Sequence, residues 1–230
     1  MLSVVIPTLY KSDSIYRTIL ELSREDSVGE IILVDNTPND RPFRLDRLVH
    51  VLEGRNTFVN PAWNKGVSMA SHDKVCLLND DIFFDWSLLS LVTQMLTADV
   101  GFIGMHPDNM SNDRPGPFYD GGPSLVQPPP DGKTRAGHRP TNWGTCIFFD
   151  KASWDPIPDD MLVWGGDDWL FYRSPRQNYL LRGVNCRGQQ SASVESMDIK
   201  DVTARDMDSM AGHVRRGEID NYLLGTIWWR

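Results

Sequence analysis

Residues 74–82 read Lys-Val-Cys-Leu-Leu-Asn-Asp-Asp-Ile. Val75–Leu78 is a continuous apolar run of strand length, the pattern of a strand covered on both faces. A turn carrying two carboxylates, Asp80 and Asp81, follows it directly. Working outward, Ser3–Ile6 (SVVI, closed by Pro7) and Glu30–Val34 (EIILV, closed by the turn Asp35–Asp40) repeat the strand pattern. Between them, a helix capped by Ser12 or Ser14 carries Ile15, Ile19 and Leu22 at helical spacing. Leu48–Leu52 is a weaker strand, Pro61–Ala70 and Asp85–Leu96 are helices, and Val100–Met105 and Cys146–Phe149 are further strands. This alternation with short connections predicts an α/β fold: a doubly wound, mostly parallel sheet with flanking helices, forming one domain over residues 1–230. Ser193–Arg230 reads as polar and largely helical, ending in Ile227-Trp228-Trp229-Arg230.

Composition narrows the class. With 40% hydrophobic and 23% charged residues the chain is an ordinary globular one. Its 23 basic and 31 acidic residues leave a net charge of −8, which argues against non-specific binding to nucleic acid or anionic membranes. Cys76, Cys146 and Cys186 are odd in number and widely spaced, so a reducing, cytoplasmic setting is expected rather than a disulfide framework. The first residues lack the basic flank and apolar length of a signal peptide, and no run reaches the ~18 apolar residues of a spanning helix. No transmembrane anchor is therefore expected. The terminal Trp228 and Trp229 suit core packing or a homodimer contact better than a membrane interface.

In a parallel sheet, ligands gather beyond the carboxyl ends of the strands. Asp35-Asn36, Asn79-Asp80-Asp81 and Asp150 each follow a predicted strand, and Trp164-Gly165-Gly166-Asp167-Asp168 follows the apolar Met161–Val163. Neighbouring carboxylates repel one another unless a cation lies between them, and hard oxygen ligands suit Mg²⁺ or Mn²⁺. Trp164 and Trp169 supply flat apolar faces suited to a sugar ring and can desolvate a carboxylate toward a base's working range. The stretch 106–142 is rich in Pro and Gly and carries Arg114, Lys133, Arg135, His138 and Arg139. It reads as a long flexible loop that closes over a diphosphate or tracks a polyanionic acceptor. No phosphate-binding GxxxxGK[ST] or GxGxxG and no nucleophile-elbow GxSxG is present, and the five His lack zinc spacing.

The order SVVIPTLY, EIILVDN, NPAWNKG, VCLLNDDI, NWGTCIFF and WGGDDWLFYR resembles the nucleotide-sugar glycosyltransferases of the GT-A fold, family 2 in particular. The resemblance implies a nucleotide-sugar-binding half over 1–105, the loop 106–142, and an acceptor and catalytic half with C-terminal helices over 143–230. It implies a nucleoside diphosphate sugar donor, with a UDP-sugar favoured, and Mn²⁺ or Mg²⁺ as cofactor. Pro7, Thr8 and Tyr10 then line the nucleotide, Asp35 contacts base or ribose, and Asn64 lies beside the nucleotide. Asn79-Asp80-Asp81 takes the place of the DxD motif with its first Asp replaced: Asp81 is the metal ligand and Asp80 reaches ribose or sugar. Trp164 and Gly166 fall on the donor side, Asp168 takes the place of the general base, and Asp167 holds acceptor or donor hydroxyls. Relatives place a metal-binding His further on, where this chain has Gln189–Ser193. His213 is the downstream candidate for that role.

The implied reaction is metal-dependent, inverting sugar transfer to an acceptor hydroxyl, with a saccharide or glycan as the favoured acceptor. A hydroxymethylated base in viral DNA is a second acceptor class. A nucleotidyltransferase and a non-catalytic sugar-binding module are the alternatives from other classes.

Overall fold

Strands that are apolar along their whole length need cover on both faces, and the chain meets that need with three layers. The computed structural model describes residues 1–12, 14–38, 44–110, 116–130, 136–188 and 200–219. Arg114, Lys133, Arg135, Gln189–Ser193 and the Trp228-Trp229 end lie outside the described residues.

Eight strands form the central sheet: β1 Leu2–Thr8, β2 Val28–Asp35, β3 Leu48–Leu52, β4 Lys74–Leu78, β6 Val100–Met105, β7 Ser124–Val126, β8 Cys146–Asp150 and β9 Gln177–Arg182, in the order β3-β2-β1-β4-β8-β6-β9-β7. A separate antiparallel pair joins β5 Ile82–Phe83 to β10 Arg187–Gly188. The helices are α1 Ile15–Leu22, α2 Val59–Met69, α3 Leu88–Met95, α4 Gly166–Arg173 and α5 Lys200–Arg215. Alternate residues of one strand enter opposite layers. Leu2, Val4 and Ile6 of β1 join a core with Ile15, Ile19 and Leu22 of α1 and Leu88, Leu89 and Val92 of α3. Val5 joins the other core, with Ala62, Trp63 and Val67 of α2, Trp169–Phe171 of α4, and Met210 and Val214 of α5. Close approach fixes α2 on the sheet, since a Cβ on Gly66 would meet Val5 Cγ1 at 2.2 Å.

Three local expectations change. First, Pro7 does not end β1. It pairs in register with Val34, whereas β4 pairs only with Leu2–Val5, so on that side the missing Pro7 N–H interrupts no ladder. Second, Ser14 is the N-cap residue of α1 but its hydroxyl makes no cap; it reaches the Asp80 carbonyl at 3.5 Å.

Third, β8 is antiparallel to both β4 and β6, placed between them. Leu78 therefore faces Cys146, and Lys74 faces Asp150. Asp150 consequently lies at the opposite end of the sheet from Asp80, where it caps a short 3-10 turn by accepting the Ala152 N–H. The residues that reach the carboxyl end of β4 are instead those just before β8, Trp143–Thr145. The described residues of 106–142 carry more order than their composition suggests: a 3-10 turn over Pro107–Met110, β7 paired with β9, and a bridge from Phe118 to Val184. Among the described residues, no helix is long and apolar enough to cross a membrane.

Candidate active site

The carboxyl ends of β1 and β4 open into a cleft of about 470 Å³, lined by Pro7, Thr8, Asn36, Asn56, Phe58, Trp63, Asn79–Ile82, Arg139, Thr141, Asn142, Gly144, Thr145, Val163–Gly165, Asp167 and Asp168 among others. One wall is the turn after β4. Thr8 Oγ1 donates to Asp80 Oδ2 at 2.6 Å and accepts the Tyr10 N–H at 2.8 Å, so the ends of two neighbouring strands are tied together at the acidic turn. Burial pushes the Asp80 carboxyl above its ordinary value, against the opposing bond from Thr8. Asp81 is buried beside it. The Asn79 N–H donates to the Thr145 carbonyl at 3.2 Å, which fixes the segment before β8 against this turn.

The facing wall is the first turn of α4. Gly165, with φ at 78°, lets the chain enter that helix where an L side chain is strained. Three elements hold the approach. From α2, Asn60 Nδ2 donates to the carbonyls of Met161 and Trp164 at 3.2 and 3.4 Å, and the Asn60 N–H donates to the Leu162 carbonyl. From α5, the buried Asp206 accepts the N–H groups of Leu162, Val163 and Trp164 at 2.9, 2.7 and 2.8 Å. Trp164 Nε1 also donates to Thr203 Oγ1 at 2.9 Å. The third element is the 136–142 segment, through Arg139.

Arg139 bridges the acidic pair: Nη1 lies 2.9 Å from Asp167 Oδ2, and Nε donates to Asp168 Oδ1. Asp168 is 1% exposed, and its carboxyl is pushed up to about 6 by burial, while Arg139 pulls it down and Asp167 adds to the rise. Burial works against the Arg139 charge as well, but Asp167 and Asp168 outweigh it and hold the guanidinium well above its ordinary value.

The cleft thus gathers Pro7, Thr8, Asp80, Asp81, Trp164, Asp167 and Asp168. Other expected site residues fall elsewhere. Tyr10 stacks on Tyr16, ring centroids 5.7 Å apart. Asp35 is fully buried behind the cleft and accepts from the Thr37 N–H and hydroxyl, with His50 Nε2 at 3.0 Å from its other oxygen; Asn36 lines the cleft in its place. Asn64 exchanges hydrogen bonds with the backbone of Ile157, and Gly166 packs on Asn60. His213 is buried outside the lining, with Nδ1 on Glu218, Nε2 on Asp160, and its ring edge-on to Trp169. A metal-ligating role for His213 does not fit that placement, because both ring nitrogens already face carboxylates. Of the four tryptophans in the motifs, Trp164 and the core residue Trp63 line the cleft, whereas Trp143 and Trp169 are core residues outside its lining.

Asn56, Asn60 and Asp206 were not singled out in the sequence. Asp206 had a signal: Asp206, Met210 and Val214 share one stripe of α5, and an Asp within a buried stripe needs partners.

Four carboxylates, Asp80, Asp81, Asp167 and Asp168, and one cation, Arg139, line the cleft among the described residues. No group of three or more His, Cys, Asp or Glu suited to a metal occurs among them. Asp80 and Asp81 fit a hard divalent cation of the Mg²⁺ or Mn²⁺ kind, which is commonly held by one or two carboxylates together with water and substrate phosphates.

The order of the sheet, with an acidic turn after β4 facing a second acidic turn at the start of α4, defines a GT-A fold. The family model "Glycosyl transferase family 2" matches residues 3–155, and the chain belongs to this family of glycosyltransferases. Solved structures agree on the fold. TarS of S. aureus, residues 1–349, superposes with a TM-score of 0.56 at 13% identity, covering 99% of this chain and 75% of that one. The mannosyltransferase PcManGT of Pyrobaculum calidifontis, in complex with GDP-Man and Mn²⁺, superposes with a TM-score of 0.56 at 13% identity, covering 91% of this chain and 64% of that one. At these identities the likeness is one of fold. No curated protein matches the chain by sequence.

Proposed function

We propose that the chain transfers a sugar from a nucleoside diphosphate sugar to an acceptor hydroxyl with inversion, using Asp168 as general base. The observation that carries this reading is the buried Asp168 carboxylate, held by Arg139 and pushed up to about 6, lining one cleft with Asp80 and Asp81. Membership of the family supports it. So do the ligands of the structural neighbours: UDP and UDP-GlcNAc in TarS, and GDP-Man with Mn²⁺ in the mannosyltransferase.

Asp81, with Asp80 beside it, would hold a divalent cation. When bound, that cation supplies positive charge for the phosphates of the leaving nucleoside diphosphate. The chain's own residues do the rest. Thr8 fixes the Asp80 carboxylate at the strand end. Asp168 takes the proton of the acceptor hydroxyl as its oxygen forms a bond to the anomeric carbon. The bond from that carbon to the diphosphate oxygen breaks on the opposite face, its electron pair leaving with the phosphate. Asp167, beside the base, orients hydroxyls. Trp164 and Phe58 supply apolar faces for the sugar or base. A saccharide is the favoured acceptor, since the cleft combines aromatic faces with amide and hydroxyl groups and only one cation among its described lining residues.

The test is release of nucleoside diphosphate from a panel of UDP- and GDP-sugars with Mn²⁺, alone and with simple saccharides. Release that depends on donor identity supports the reading. Binding of sugars without any release points to a sugar-binding module, and pyrophosphate release from nucleoside triphosphates to a nucleotidyltransferase.

A further inference from the structure

The geometry points to Arg139 as the positioning residue that keeps Asp168 an available base: one guanidinium grips Asp167 and Asp168 together and supplies the counter-charge that a buried carboxylate pair requires. This rests on Asp168 being the base. Two consecutive carboxylates in one helical turn repel each other, and burial of one of them penalises its charge further. Asp168 is 1% exposed, and the Arg139 side chain only 11%. The charged groups acting on Asp168 are Arg139 on the 136–142 segment and Asp167 on α4; Asp80 and Asp81 line the same cleft, and Tyr172 on α4 acts on Arg139. Arg139 alone among these carries positive charge.

Its side chain suits the task in a way a lysine would not. Nε and Nη1 point in fixed directions and reach one carboxylate each, whereas an ammonium is a single point charge on a flexible stem. The Arg139 backbone is tied to the same helix, its N–H donating to the Tyr172 hydroxyl at 3.5 Å. Without the guanidinium, burial and the Asp167 charge act on Asp168 unopposed, so its proton is held to higher pH. Asp168 then keeps its place in the fold but no longer accepts a proton at neutral pH.

The test compares the pH dependence of kcat at saturating donor for the wild-type enzyme, Arg139→Gln, Arg139→Lys and Asp167→Asn. Arg139→Gln is expected to move the acid limb upward by roughly 1–3 pH units, with rate recovered at high pH. Arg139→Lys falls between, and Asp167→Asn moves the limb downward. A rate lowered in parallel at every pH, with the limb unmoved, overturns the inference and leaves Arg139 as a structural tie. Carbon-13 NMR titration of the Asp168 carboxyl in resting enzyme, assigned by its loss in Asp168→Asn, reads the same shift without turnover. If Asp168→Asn turns over normally, the base assignment fails, and the NMR titration still decides whether Arg139 sets the Asp168 proton affinity. If Arg139→Gln does not fold, Arg139→Lys and Asp167→Asn carry the test.

Discussion

Asp206 and Trp164 meet through the main chain: Asp206 Oδ2 accepts the Trp164 N–H at 2.8 Å, one of three amide bonds that this buried carboxylate makes to residues 162–164. Helix α5 thereby holds the approach to Gly165 and sets where Asp167 and Asp168 emerge. Replacing Asp206 by Ala leaves three amides without their acceptor. The expected loss is about 3 kcal/mol, from the usual worth of hydrogen bonds to a charged group. For a chain of this size that lowers the melting temperature by roughly 6–12 °C. Donor affinity, read by calorimetry below the transition, should change far less than kcat.

The proton affinity of Asp168 gives the pH dependence its sign. With its carboxyl pushed up to about 6 in the free protein, kcat/KM should rise with pH and reach half its plateau near pH 6, not near the ordinary carboxylate value. The same shift acts on the fold in the opposite sense. The folded state holds this proton more tightly than the unfolded chain, so the contribution of Asp168 to stability falls as pH rises toward and through 6. The difference in urea midpoint between Asp168→Asn and the wild type should therefore shift in favour of the variant between pH 4.5 and pH 7.

Gly165 is a backbone requirement of the same turn. An alanine there is strained at a φ of 78°, and its Cβ would meet Met210 Cε at 2.5 Å. The methionine end can swing aside, but the backbone strain stays, at about 1–2 kcal/mol. Gly165→Ala should lose transfer activity more steeply than stability, because relief of the strain moves Asp167 and Asp168. Gly54→Ala, also at positive φ but with nothing within 4 Å, should lose a similar stability and keep activity.

Much of this arrangement was legible in the sequence, for definite physical reasons. Val75–Leu78 is apolar throughout because it is covered by α-helical layers on both sides, and the acidic turn after it lines a cleft at the sheet's carboxyl edge. The same logic fails for Asp150. A strand's direction is not encoded in its apolar pattern, and antiparallel β8 sends Asp150 to the far end. Asp35 ends its strand, yet its oxygens are claimed by Thr37, two residues on, and by His50, a contact that depends on the side-by-side packing of β2 and β3. The Arg139 bridge joins residues 28 and 29 positions apart, and the Asp206 clamp spans 42 to 44 positions. No local periodicity reports such pairs.

Asp81 is the residue on which the proposed metal dependence rests. Asp81→Ala should weaken binding of a nucleotide sugar in the presence of Mn²⁺ and make it insensitive to chelator, while binding of the wild type falls on chelation. Calorimetry with and without Mn²⁺ checks this. Equal Mn²⁺ dependence in the variant and the wild type would assign the metal to other groups.

Removal of the acceptor proton by Asp168 is the step on which the proposed transfer depends. The most direct measurement is transfer by Asp168→Asn at saturating donor and acceptor, alongside donor affinity by calorimetry on the same preparation. The expected result is donor affinity within about twofold of wild type and transfer reduced by roughly 10²–10⁴. Transfer at the wild-type rate with donor still bound would contradict it.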